Sequence, residues 1–176
     1  MEEKYHFSLP DDYFRFITEI GDGGAGPDYG IEPFAKLAEK GQNPYAAEYM
    51  AAYRSSLRNP FTPRPMRGDE LESFAIATKE DFAQHPDRYF VYQKSDEESC
   101  HLDGFFVLGT QGCQWDFGLV TAGAMRGCVF VTDNIGAYCL EANSFETFYQ
   151  NWLDWISDEE KRKDEIAKRR KLFRNR

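Results

Sequence analysis

The 176-residue chain has no close pair of cysteines, only three histidines and no long apolar run. Each shortage removes a class of protein. Zinc ligands usually come in close pairs, whereas Cys100, Cys113, Cys128 and Cys139 are widely spaced, with no C-x-x-C. Cys113, Cys128 and Cys139 fall in or beside strand-like runs, where a free cysteine serves as a small hydrophobe. Buried, reduced thiols are expected, and spacing alone leaves a disulfide open. No stretch approaches the ~20 apolar residues of a membrane span. The opening MEEKYHFSLPDD is acidic and lacks the basic-then-apolar layout of a secretory signal. A cytoplasmic protein is expected.

Catalytic signatures are also missing. His6, His85 and His101 sit in no recognisable motif, and there is no G-x-S-x-G, H-E-x-x-H or Walker sequence. Cys100 and His101 are neighbours, and adjacent strand residues point to opposite faces. The acidic clusters Asp69-Glu70 and Asp96-Glu97-Glu98 lack the regular oxygen spacing of a calcium loop. No catalytic residue, metal or cofactor is therefore expected. A small enzyme with an unfamiliar site is the minority reading.

What is present is apolar and acidic. Hydrophobic residues make up 41% and aromatic residues 16%, enough for the core of one domain. Residues 1–156 hold 25 acidic and 12 basic residues, whereas residues 157–176 hold 5 and 9. The acidic body disfavours nucleic acid and suits a cationic partner. The basic stretch interleaves acids and has few large apolar residues, so a membrane-lying helix is not expected. Glu159/Lys163, Asp164/Lys168 and Glu165/Arg169 instead have the i,i+4 spacing of a solvated helical extension. The expected organisation is one domain over 1–156 and this extension over 157–176.

The stretch Leu9 to Phe34 carries a G-x-G-x-x-G (Gly21, Gly23, Gly26). Pro10 suits a first helical position and Asp11 and Asp12 suit a first turn. Tyr13, Phe16, Ile17 and Ile20 form an i, i+3, i+4, i+7 stripe, and Gly21 sits where a left-handed residue closes a helix. The glycines thus follow a helix. A dinucleotide site needs them after a strand and before a helix. Asp22 would also repel phosphate, and Pro27 removes a donor. A structural turn is expected, followed by a short strand at Tyr29-Gly30-Ile31.

Further along, Asn43-Pro44 opens a helix over 44–57. Pro60, Pro63 and Pro65 forbid regular helix or central strand from Arg58 to Arg67, predicting an exposed loop. Residues 79–85 suit a short helical turn. Short runs then follow at Tyr89–Gln93, Phe105–Leu108, Gly118–Thr121, Cys128–Thr132 and Tyr138–Glu141. They are separated by Asp-Gly, Ala-Gly and Asp-Asn links, which predict an antiparallel meander. Asn143 or Ser144 caps a last helix, with capping-box spacing from Asn143 to Glu146. Its apolar face, Phe145, Phe148, Trp152, Trp155 and Ile156, must pack on the sheet. The fold class is α+β, a mainly antiparallel sheet of five to six strands with helices against it.

Several of these strings resemble one family. Leu9-Pro10-Asp11-x-Tyr13, then Ile20-Gly-x-Gly-Gly-Ala-Gly-Pro-x-Tyr-Gly30, is similar to the N-terminal signature of the SUKH superfamily, the Smi/Knr group. Asp22 stands where that family usually has Asn. Gly112-Cys113, Leu119-Val120, Gly123, Arg126-Gly127 and Val129-Phe130 follow the family's order, with Phe130 in place of its usual Trp. Ser144-Phe145-Glu146-x-Phe148 with Trp152-Leu153 resembles its closing helix. The resemblance covers about residues 9–156 and is loosest over 35–88.

The resemblance implies a non-enzymatic bacterial immunity protein that neutralises a cognate toxin, often a nuclease. The alternative it implies is a regulatory scaffold of the Smi/Knr cell-wall type. A nuclease presents a basic cleft to phosphate, so an acidic protein can occupy it. The candidate partner-binding residues are Asp22, Asp28, Tyr29, Asp96, Glu97, Glu98, Asp103, Trp115 and Asp116. Trp115 reads equally well as core.

Overall fold

The computed structural model describes residues 6–38, 44–74, 76–92, 102–113, 115–133, 135–159 and 163. At its centre is a six-stranded antiparallel sheet. Its strands are β1 (Arg64–Pro65), β2 (Tyr89–Val91), β3 (Phe105–Gly112), β4 (Trp115–Val120), β5 (Val129–Thr132) and β6 (Ala137–Ala142). The spatial order is β1-β2-β6-β5-β4-β3, so the last four strands form the predicted meander and β2 adds beyond β6. The helices are α1 (Asp11–Arg15), α2 (Pro44–Ser56), α3 (Lys79–Gln84) and α4 (Phe145–Ser157), with a π-helical turn at Phe16–Ile20 directly after α1. The α+β class holds.

Both faces of the sheet are apolar, which the period of two produces when residues of both parities are hydrophobic. On one face Phe106, Leu108, Phe117, Leu119, Val129 and Val131 pack under α1 and α4. On the other, Phe90, Phe105, Phe130 and Tyr138 gather around Phe61. Phe130 and Tyr138 are wholly buried there, and Phe61 meets Tyr138 edge-on at 5.0 Å. Gly118 makes room for this second layer. A Cβ on it would lie 2.5 Å from Cε1 of Phe105 and 2.7 Å from the Phe106 carbonyl oxygen.

Several sequence expectations need correction. The Arg58–Arg67 segment is not simply an exposed loop. It contributes β1 at the sheet edge, where a proline is tolerated because no donor is needed on the open side, and it buries Phe61 and Met66. Pro10 caps α1 instead of starting it, since helical geometry begins at Asp11. Gly21 is extended (φ 168°), so it does not close the helix in the left-handed region. The closure is the wider turn itself, in which the Gly21 N–H donates to the Phe16 carbonyl at 3.0 Å. That extra residue per turn takes Ile20 off the predicted stripe. Tyr13 and Phe16 are buried, Ile17 is half-buried and Ile20 is 74% exposed.

No strand forms at Tyr29-Gly30-Ile31. A single bridge joins Gly24 to Ile31 through two hydrogen bonds of 2.8 and 2.9 Å. Gly30 adopts φ 94°, and a Cβ there would lie 2.5 Å from the Gly24 carbonyl oxygen, so the turn closes too tightly for a side chain. Ser144 rather than Asn143 caps α4, its Oγ accepting from the Thr147 N–H at 3.0 Å. Of the apolar face of α4, Phe145 and Phe148 are buried, whereas Trp152, Trp155 and Ile156 are half-buried. The three described cysteines are free. Cys139 is buried and Cys128 half-buried, but Cys113 is exposed, because it occupies a left-handed position (φ 51°) after β3. The Asn43 cap, Cys100, His101 and most of the 157–176 extension lie outside the described residues. Within the extension the Glu159–Lys163 pair forms at 2.7 Å.

Candidate functional site

Helices α1 and α4 meet along a groove of about 210 Å³. Its construction begins with aromatic packing. The Phe145 ring lies 4.8 Å from Tyr13 and 5.0 Å from Phe16, both edge-on, and Tyr149 lies 4.9 Å from Phe16. Phe16, Phe145 and Tyr149 therefore form the floor. Ile20, turned outward by the π-helical turn, and Leu153, one turn after Tyr149 on α4, add apolar walls. π-helical turns recur at functional sites because they re-aim side chains that a regular helix would bury.

The rim is acidic. Asp12, Glu19 and Glu146 line the groove with Arg15 as the single cation among the described residues, and the Arg15 guanidinium is 3.7 Å from Glu19. Asp12 joins the two walls. One of its carboxylate oxygens accepts from the Tyr13 N–H and the other from the Glu146 N–H, both at 2.9 Å. Tyr149 joins the groove to the glycine turn, its hydroxyl donating to the Ala25 carbonyl at 3.0 Å.

The glycine turn follows a helix and spends several of its donors on itself. The N–H groups of Gly23, Gly24 and Gly30 donate to the carbonyls of Gly21, Ile31 and Pro27. Asp22 is exposed, yet its carboxylate accepts from the Phe34 and Ala35 N–H groups and so caps the 3-10 turn Phe34–Ala38. Asp28 is exposed in a left-handed conformation (φ 50°), and Tyr29 beside it is 78% exposed. The Tyr29 ring lies over the end of β3. A Cβ on Gly112 would sit 3.1 Å from its Cε2. Trp115 pairs with Gly112 across the β3–β4 hairpin and packs, half-buried, on the main core.

The structure thus brings Asp28, Tyr29 and Trp115 to one end of the sheet, linked to the groove through Tyr149. It separates them from Asp103, which accepts from the Asn59 side chain at 2.9 Å at the opposite end of β3. Asp116 follows Trp115 on β4 and so projects from the other face, opposite Thr110 and Thr132. Asp96, Glu97 and Glu98 lie outside the described residues. The groove residues Asp12, Glu19, Ile20, Glu146, Tyr149 and Leu153 were not singled out in the sequence as a site. Their one signal is the i,i+4 spacing of Tyr149 and Leu153.

Two tyrosines lie beneath this region. The Tyr53 hydroxyl accepts from the Val107 N–H on β3 at 2.8 Å. Burial pushes the phenols of Tyr13 and Tyr53 well above their ordinary pKa, with Asp22 adding to the effect on Tyr13, so both stay neutral. Neither is poised for acid–base work near neutral pH. Among the described residues, no group of three or more His, Cys, Asp or Glu side chains could hold a metal ion, and no helix is long and apolar enough to cross a membrane. The arrangement offers preformed apolar contact bordered by negative charge. No family model, no curated protein and no solved structure matches the chain.

Proposed function

We propose that this chain is a cytoplasmic, non-enzymatic binding protein of the SUKH kind, an immunity protein that neutralises a cognate toxin with a basic surface. One observation carries the reading. The two strings that most resemble the family, Leu9 to Phe34 and Ser144 to Leu153, are the two that build the carboxylate-rimmed groove and the glycine turn attached to it. An acidic body with an aromatic anchor surface suits a nuclease or other basic toxin. Opposite charge accelerates encounter, while buried aromatic contacts slow release.

The test is coexpression with any toxin domain encoded beside this gene. The expected result is protection of the host cell, a stable complex, and an association rate that falls as ionic strength rises. Absence of both binding and protection overturns the reading.

A further inference from the structure

We propose that the groove between the π-helical turn and α4 receives one aromatic or long aliphatic side chain of the partner, flanked on its own chain by Lys or Arg. This assignment rests on the preceding reading that the partner is a basic protein.

Size comes first. The groove measures about 210 Å³, below the roughly 300–1,000 Å³ of small-molecule sites. It accommodates one anchor side chain instead of a drug-sized ligand. The lining is preformed. Tyr149 is held by its bond to Ala25, and Phe16 is held against Phe145, so no ring must reorder on binding. Ile20 is the conspicuous element. A large aliphatic residue left 74% exposed beside aromatic rings is unburied apolar surface, and it is exposed because the helix widens at that turn.

Charge then selects the occupant. Among the described residues three carboxylates, Asp12, Glu19 and Glu146, stand against Arg15 alone. Asp12 is engaged with the Glu146 backbone, while Arg15 and Glu19, both largely exposed, approach each other at 3.7 Å. Glu19 and Glu146 are both exposed and stand on opposite walls. A phosphate or carboxylate ligand is repelled, whereas an apolar side chain with a cation on either side meets the floor and both walls together. That is the arrangement of an interface hot spot, with an apolar centre inside a charged rim.

The experiment uses the full chain and, as probe, a nine-residue amidated peptide with one central Phe flanked on each side by Arg and Lys. Its Phe→Ala and all-Glu versions serve as controls. The expected result is saturable shifts of the Ile20, Tyr149 and Leu153 amide resonances. Affinity falls about tenfold or more with the Ala peptide and is lost with the Glu peptide. Ile20→Asp and Glu146→Lys, each checked for an unchanged melting temperature, abolish the shifts. Equal binding of all three peptides, or shifts confined to another surface, overturns the assignment. So does a dimer of this chain dispersed by Ile20→Asp, because a second copy is then the occupant. Peptide binding that appears only after residues 160–176 are removed also overturns it, since the chain's own basic segment then fills the groove. Against the cognate toxin, protection that survives Ile20→Asp undiminished removes the groove and leaves the immunity reading standing. Peptide binding without any protective toxin pairing keeps the groove and removes that reading.

Discussion

The Asp12 carboxylate accepts the Glu146 backbone N–H at 2.9 Å across 134 positions of sequence. One residue in the first turn of α1 thereby satisfies a free donor in the first turn of α4, where the macrodipole also favours its charge. Asp12→Ala removes this bond and the one to Tyr13. It should lower unfolding free energy by about 1–2 kcal/mol, as loss of a cap does. Asp12→Asn should retain most of the stability. Urea unfolding midpoints of the three proteins measure this.

A second cap lies in the glycine turn. Asp22→Ala frees the Phe34 and Ala35 N–H groups and should cost about 1 kcal/mol. If Asp22 serves mainly as this cap, toxin affinity should change far less than it does with Glu146→Lys. Calorimetry of the two variants with the toxin separates the roles.

Glu70 makes stability respond to acid. The Arg64 guanidinium bonded to it, and then the Arg67 N–H, hold its carboxyl at about 2 instead of 4.5. A carboxyl with a depressed folded pKa contributes in full above its unfolded value and loses that contribution as pH falls toward the folded value. The difference in melting temperature between the native chain and Glu70→Gln should therefore be constant at neutral pH. It should shrink between about pH 4.5 and pH 2.

The described cysteines should differ in reactivity. Burial, first, pushes the Cys139 thiol up to about 12, whereas Cys113 is exposed. Because the thiolate is the nucleophile, mass-mapped labelling with a maleimide at pH 7.5 should mark Cys113 in the folded protein. Cys139 should be marked only once denaturant is present.

Tyr53→Phe deletes the hydroxyl that accepts the Val107 N–H. An unsatisfied buried N–H costs about 1–3 kcal/mol, which chemical denaturation would register. Amide exchange at Val107 should quicken selectively.

The meander was legible because its strands are aromatic and β-branched runs divided by residues that tolerate turns. β3 extends past the expected Leu108 to Gly112 because Gly109, Thr110 and Gly112 pair with β4 in spite of their loop-like composition. β1 was hidden by the prolines in and before it, and its place at the sheet edge makes Pro65 admissible. That the G-x-G-x-x-G follows a helix instead of opening one was readable in the sequence. The groove was not. Asp12 and Glu146 look like ordinary first-turn acids, and Ile20 like a core position, until tertiary packing sets two sequence-distant helices side by side. The widened turn that exposes Ile20 has no local signature, since Phe-Ile-Thr-Glu-Ile suits a regular helix.

The treatment of the two sheet margins bears on how this chain behaves when crowded. At β3 the Glu32 N–H already donates to the Leu108 carbonyl at 2.6 Å, and Tyr53 occupies the Val107 N–H. At the other margin β1 is two residues long and ends in a proline without a donor. A sheet with apolar residues on both faces would otherwise offer a template for strand addition by a second molecule. Among the described residues neither margin presents a long free ladder. Strand addition by a second molecule is disfavoured at both.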